Sequence, residues 1–227
     1  MIKTVFFDLD NTLLDFSKAE RIAVTRTLKE FHIESSEYVL NRYSELNNAQ
    51  WKLLEQGKLT RDQVKVRRFQ LLFDELNIAG SPQEAARRYE TLLACGHYFV
   101  DGAENLLVSL YGRYRMFLVT NGTLSVQKGR LKSSGIGKYF EKIFISEETG
   151  YNKPERKYFE YCFSQIPDFH KNNAVIIGDS LTSDIQGGIN AGIRTVWFNP
   201  AHIRAEEIMP DYEVYSLGEI PDLLEKL

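Results

Sequence analysis

Two kinds of hydrophobic pattern divide the chain. A short run over residues 4–7, Thr-Val-Phe-Phe, is β-branched and aromatic and stops abruptly at polar residues, which predicts a buried strand. From about residue 17 to residue 99 apolar positions recur instead at three- and four-residue spacing. They do so in SKAERIAVTRTLKEF, SEYVLNRYSELNNAQWKLLEQG, TRDQVKVRRFQLLFDELN and SPQEAARRYETLLACGHYF. Each segment predicts an amphipathic helix. The breaks fall near residues 32–36, 57–60 and 79–82. Ser36, Thr60 and Ser81 stand where N-caps belong, and Pro82 takes the first helical position. Four helices joined by short loops predict a small antiparallel bundle.

Beyond Asp101-Gly102 strand and helix patterns alternate. A helix over residues 103–111 leads to RMFLVTNG, and another helix to KIFISEE. A third, from about Lys157 into FSQI, leads to NAVIIGDS. A fourth, near residues 185–191, leads to RTVWFN. YEVYS reads as a last strand before a short helix to Leu227. Such alternation predicts a parallel sheet with helices on both faces, and the first strand belongs to it by type. The expected fold is therefore α/β: a Rossmann-like parallel sheet core built from residues 1–16 and 100–227. An all-α, four-helix cap domain, residues 17–99, is inserted after the first strand. There is no internal repeat and no low-complexity segment.

Composition narrows the function classes. Of 227 residues, 43% are hydrophobic and 26% charged, and the formal net charge is −3. That balance is ordinary for a globular protein and gives no basis for a nucleic-acid or anionic-membrane partner. No segment approaches the roughly 20 apolar residues of a membrane span. The N-terminal apolar run is too short for a signal peptide, so the cytoplasm is the expected compartment. Cys95 and Cys162 lie far apart, with neither a disulfide framework nor metal-ligand spacing, and both are expected to be small buried side chains. The four histidines also lack ligand spacing.

In open α/β sheets ligands bind beyond the carboxyl ends of the strands. The residues that follow each predicted strand are therefore the candidate chemistry. They are Asp8-Leu9-Asp10-Asn11-Thr12; Thr120-Asn121-Gly122; Ser146-Glu147-Glu148 with Lys153-Pro154 shortly after; and Gly178-Asp179-Ser180 with Asp184. Each alone has a plain reading as a turn, a cap or a surface loop. All four, in order and each just past a strand, point to one rim. Asp8, Asp10 and Asp179 form a set of hard oxygen ligands suited to Mg²⁺. Lys153 and the N–H groups near residues 120–122 suit an anion.

In these residues the sequence resembles the haloacid dehalogenase superfamily of hydrolases. DLDNT matches the family's DxDxT, and the Thr of LVTNG, the Lys of NKP and GDSLTSD match its other motifs, spanning Asp8 to Asp184. The helical insertion is similar to the family's C1-type cap. The stretch SEETGYNKP and the long cap are most similar to the pyrimidine 5′-nucleotidase-like subgroup.

The resemblance implies a Mg²⁺-dependent phosphomonoester hydrolase acting through an aspartyl-phosphate. Asp8 would be the nucleophile, and Asp10 would be the acid and then the base. Thr120, Asn121, Gly122 and Lys153 would bind the substrate phosphate. Asp8, Asp179 and the backbone carbonyl of Asp10 would bind the metal, with Asp184 supporting Lys153 or a metal-bound water. The implied partner is a small phosphorylated molecule, most of all a nucleoside 5′-monophosphate, bound by a monomer or small homo-oligomer. Family dehalogenases lack the second Asp, so Asp10 argues for phosphoryl chemistry. A phosphosugar mutase and a non-catalytic phosphate-binding module are the alternatives. In the insertion, Lys58 and Arg61 lie on the loop that would reach the site, and surface charge is the plainer reading. Tyr43 and Trp51 are candidates to stack on a base, against packing in the bundle. Asn47, Asn48 and Gln50 are candidates to read a base edge, against a solvated face.

Overall fold

The computed structural model describes all 227 residues. In chain order the elements are β1 (Thr4–Phe7), α1 (Phe16–Glu30), α2 (Glu37–Glu55), α3 (Arg61–Glu75), α4 (Pro82–Leu93), α5 (Ala103–Leu110), β2 (Arg115–Thr120) and α6 (Leu124–Ser134). They continue with β3 (Lys142–Ile145), α7 (Ser146–Thr149), α8 (Arg156–Ser164), β4 (Ala174–Gly178), α9 (Gln186–Ala191), β5 (Arg194–Phe198), β6 (Tyr212–Val214) and α10 (Ile220–Lys226). Two compact units result. One comprises Met1–Asp15, Tyr98–Leu124 and Ser134–Leu227; the other comprises Phe16–His97 with Ser125–Ser133. No helix is long and apolar enough to cross a membrane.

The first unit is the expected α/β sheet, with six strands in the order β3-β2-β1-β4-β5-β6. Every pairing is parallel. Parallel strands covered on both faces read as continuous apolar runs, which is why Val5 to Phe7 and Val175 to Ile177 show no alternation and are fully buried. On one face Phe6, Phe117, Phe144, Phe159 and Phe163 form an aromatic core. Phe6 lies 5.5 Å from Phe117 and 5.7 Å from Phe163 between ring centroids. The chain leaves and re-enters this unit through paired segments: Asp15 N donates to Tyr98 O at 2.7 Å and Val100 N to Leu13 O at 3.1 Å. From β1 the sheet order continues to β2 on one side, and from β4 to β5 on the other. The loops therefore diverge at the carboxyl ends of β1 and β4, the point where such sheets bind ligands.

The second unit is helical. Its caps are those the sequence predicts. Ser36 accepts from Val39 N, Ser81 from Glu84 N, and Thr60 forms a reciprocal capping box with Gln63. Tyr43, Phe69 and Tyr89 pack with centroids 5.0 to 5.6 Å apart, so Tyr43 is a core residue. Asn47 and Gln50 are also buried and do not form a solvated face. Both donor and acceptor of the Asn47 amide are taken up: Nδ2 donates to Glu20 Oε1 at 2.7 Å, and Oδ1 accepts from Arg68 Nη1 at 3.0 Å. Ser44 Oγ also donates to Glu20. This network satisfies an acid and a guanidinium that are both almost wholly buried. Asn48 and Lys58 are exposed, while Trp51 and Arg61 are half-buried.

Helix α6 lacks a dominant apolar face, and the periodicity does not mark its residues 125–133 as part of this unit. They belong to it through close packing. A Cβ on Gly129 would lie 2.7 Å from Ala94 O, and the buried Arg130 donates from Nε to Gly96 O at 2.9 Å. One expectation fails. Cys162 is buried but Cys95 is exposed, because it sits past the end of α4 with Sγ 3.7 Å from Thr91 O.

Close approach of α9 to the sheet depends on a glycine. A Cβ on Gly188 would lie 2.6 Å from both Ile176 Cγ2 and Thr195 Cγ2. Gly188→Ala is expected to destabilise the protein by about 1–3 kcal/mol through overpacking, despite the better helix propensity of alanine. Urea unfolding followed by circular dichroism checks this, and an unchanged midpoint would contradict it.

Candidate active site

The ladder between β1 and β4 runs one residue past the strand: Asp8 N donates to Ile177 O at 3.0 Å. Asp8 therefore stands rigidly at the carboxyl edge. The chain then turns tightly, with Leu13 N and Leu14 N both donating to Leu9 O. Asn11 takes φ 61°, a left-handed conformation that Asn tolerates better than most residues. This turn brings Thr12 back beneath the acid. Thr12 Oγ1 donates to Asp8 Oδ2 at 3.0 Å and accepts from Asp179 N at 3.1 Å. Asp10 lies on the outer side of the same turn and is half-exposed.

Lys153 reaches this edge from the loop before α8 and is 1% exposed. An ammonium has three protons, and each has an acceptor here: Asp8 Oδ1 at 2.6 Å, Asp184 Oδ1 at 2.6 Å and Val119 O at 3.0 Å. Asp184 sits in a π-helical turn, Leu181–Ile185, and its other oxygen accepts from Ser180 N at 3.1 Å. The acid is pressed against the end of β4: a Cβ on Gly178 would fall 2.3 Å from Asp184 Oδ2. Asp179 is fixed through its carbonyl, which accepts from Trp197 Nε1 at 2.8 Å.

Beyond β2 the buried Thr120 accepts at Oγ1 from Gly122 N at 3.1 Å. Asn121 turns toward the lysine loop. Its Oδ1 accepts from Lys153 N and its Nδ2 donates to Lys153 O, both at 2.9 Å. Past β3, Glu147 does not face the acids. It accepts from Leu124 N at 2.6 Å, at the start of α6.

Asp8, Asp10, Thr120, Asn121, Gly122, Lys153, Asp179 and Asp184 thus all lie in the sheet unit, at the carboxyl ends of its strands. Side-chain oxygens of Asp8, Asp179 and Asp184 come within 4.8 Å of one another. Asp184 has one oxygen on Lys153 and the other on Ser180 N, and Asp8 has one on Lys153 and the other on Thr12 Oγ1, so a cation at this edge would share Asp8 with those donors and meet Asp179 beside it. Burial, followed by repulsion from Asp184, pushes the Asp8 carboxyl up to about 7 against the pull of Lys153. Burial and then the Asp8 charge push Asp179 well up. Burial works to lower Lys153, but the adjoining Asp184 and Asp8 charges outweigh it and hold the ammonium protonated. Asp8 and the half-buried Asp179, each held above its ordinary range by burial and then by neighbouring acids, present hard oxygen donors that fit a small divalent ion such as Mg²⁺. The sequence alone assigns no part to Trp197, Ser183 or the steric demand on Gly178. Only Gly178, directly before Asp179, carried a visible signal.

A model of the haloacid dehalogenase-like hydrolases matches residues 5–198. Pyrimidine 5′-nucleotidase PynA of Streptococcus pneumoniae is 41% identical over 99% of this chain and 95% of its own length. Pyrimidine 5′-nucleotidase YjjG of Escherichia coli is 31% identical over 97% of this chain and 96% of its own. The HAD-hydrolase YfnB of Bacillus subtilis is 38% identical over 98% of this chain and 95% of its own length. Its magnesium-bound crystal structure superposes with a TM-score of 0.94, covering 99% of both chains. Likeness of sequence from end to end and likeness of fold agree, and the chain belongs to the haloacid dehalogenase-like hydrolase family.

Proposed function

We propose that this hydrolase cleaves phosphate monoesters through an aspartyl-phosphate on Asp8, with Mg²⁺ as cofactor and nucleoside 5′-monophosphates as substrates. The observation that carries the reading is the 2.6 Å contact between Lys153 Nζ and Asp8 Oδ1, at a rim that also holds Asp10. A carboxylate held by an ammonium on one oxygen and a hydroxyl on the other is aimed, and its charge is balanced as a phosphoryl group approaches.

In the first step an Asp8 oxygen attacks phosphorus and the bond to the ester oxygen breaks. The Asp10 carboxyl gives its proton to the departing oxygen, so an alcohol leaves. In the second step the Asp10 carboxylate takes a proton from water. That water attacks the same phosphorus, the bond to Asp8 breaks and inorganic phosphate is released. Lys153 balances charge on Asp8 and the phosphoryl group throughout, and the Thr120 hydroxyl with nearby backbone N–H groups holds the phosphoryl oxygens. Asp8, Asp179 and the Asp10 carbonyl would hold Mg²⁺, which supplies positive charge that keeps the buried acids ionised and offsets charge on the phosphoryl oxygens. The nucleotide preference rests on the names of PynA and YjjG, similar over nearly their whole lengths. Those names also favour hydrolysis over mutase chemistry.

Phosphate release from purine and pyrimidine nucleotides, sugar phosphates and a flavin mononucleotide tests substrate and chemistry together. Turnover favouring pyrimidine nucleoside monophosphates is expected, and Asp8→Asn is expected to abolish it while the protein stays folded. Preference for sugar phosphates would discard the nucleotide assignment alone, and turnover in Asp8→Asn would remove the nucleophile.

The cation has a readout besides activity. Adding Mg²⁺ to EDTA-treated protein is expected to raise its melting temperature, by mass action about 2.7 kcal/mol of stability at 100 times the Kd. Asp179→Asn should lose most of that rise. An equal rise in the variant would place the ion elsewhere.

A further inference from the structure

We infer that Asn121 is a positioning residue that holds Lys153 by its backbone, and not a ligand of the substrate; this rests on the hydrolase reading above. Asn121 directly follows Thr120, the last residue of β2, and β2 is paired with β1 and β3. Its Cα is therefore fixed by the sheet. Lys153 has no such support, since residues 150–155 belong to no strand and no regular helix. The Asn121 side chain supplies it. One amide takes both polar groups of the Lys153 backbone, N–H into Oδ1 and C=O onto Nδ2, each at 2.9 Å. The pairing copies the two-bond exchange of a β-bridge with a side chain in place of one strand. Reversing the amide would set oxygen against oxygen and nitrogen against nitrogen, so its orientation is determined. The second Nδ2 proton faces Ser183 Oγ at 3.4 Å, in the π-helical turn that carries Asp184. On the far side of the loop, Asn190 Nδ2 donates to Pro154 O at 2.9 Å.

Both ends of the lysine are thereby fixed: its backbone by Asn121, and its ammonium by Asp8, Asp184 and Val119 O. A long flexible side chain aims well only if its root is held. The amide that sequence reading places among the phosphate ligands is committed instead to the residue that serves the nucleophile.

The test compares Asn121→Ala with Asn121→Asp, which keeps the shape and the acceptor but sets an oxygen against Lys153 O. Hydrolysis of p-nitrophenyl phosphate is expected to lose kcat, about 100-fold in Asn121→Ala, with KM little changed. In a Lys153→Ala background the further change Asn121→Ala is expected to cost little more, because the first change has already removed what Asn121 positions. A raised KM with kcat retained, or losses that simply multiply in the double variant, would overturn the inference. Should Asn121→Ala fail to fold, Asn121→Asp carries the same comparisons. A crystal structure of the variant gives a readout independent of turnover. Lys153 Nζ is expected to leave hydrogen-bond distance of Asp8 or Asp184, and an undisturbed ammonium would overturn the inference even if wild type hydrolysed no monoester. Absence of wild-type turnover by itself would count against the hydrolase reading only.

Discussion

One buried ammonium organises the carboxyl edge of the sheet. Lys153 is almost completely removed from water, and so is Asp184, while Asp8 is 6% exposed. Burying a charge costs several kcal/mol unless each proton and lone pair finds a partner. Here each of the three lysine protons does. The acceptors come from the end of β1, the body of β2 and the turn after β4, three adjacent strands of the sheet. Removing the lysine leaves two carboxylates uncompensated in the interior, a loss of about 3–5 kcal/mol in comparable pairs. The lysine therefore fastens the ends of three strands together.

That constraint propagates outward. Asp184 must lie against the end of β4 to meet Lys153, so residue 178 can carry no side chain. The π-helical turn that contains Asp184 is accommodated because Ser180 caps it, accepting from Ser183 N at 3.2 Å while its own N–H holds Asp184 Oδ2. Thr12 links Asp8 to Asp179, which the lysine does not contact, donating to the Asp8 carboxylate and accepting from the backbone of Asp179. The strained turn at Asn11 is what lets a residue four positions beyond Asp8 return to it. Sequence spacing that looks like a motif is thus the spacing needed to close a hydrogen-bonded ring around one buried pair.

How much of this was legible in the sequence follows from what each signal depends on. Strand positions, caps and the polar residues after each strand are local, and Thr4–Phe7, Ser36, Thr60 and Ser81 sit where periodicity and cap chemistry put them. Partners are not local. Asn121 looked like a turn residue beside a phosphate, and only the fold brings it to Lys153, 32 positions away. Asn47 and Gln50 looked like a polar helix face because α2 alone does not reveal that Glu20 and Arg68 are buried beside Asn47. The grouping of residues 125–133 with the helical unit rests on Gly129 and Arg130 meeting the end of α4. Cys95 is exposed because a position just past a helix end takes its burial from the turn, not from the hydrophobicity of the residue.

The distribution of charge at the edge also bears on chemistry. Lys153 contacts Asp8 and Asp184 directly and pulls on Asp179 only through its charge, too weakly to offset burial and the Asp8 charge, and Asp10 lies two residues from Asp8. A structural ion-pair network would gain by replacing Asp179 with a neutral residue, since its carboxylate is held up by burial and by Asp8. Keeping an acid where it costs stability makes sense if a second positive charge arrives with the ligand. On the proposed reading that charge is Mg²⁺, and the incoming phosphoryl group meets a rim whose excess negative charge has been neutralised. Burial first, and then this excess, lifts Asp8 toward neutrality in the free protein. On that reading, ionisation of Asp8 is tied to occupancy of the site, and its carboxylate is fully reactive only when the groups that need it are in place.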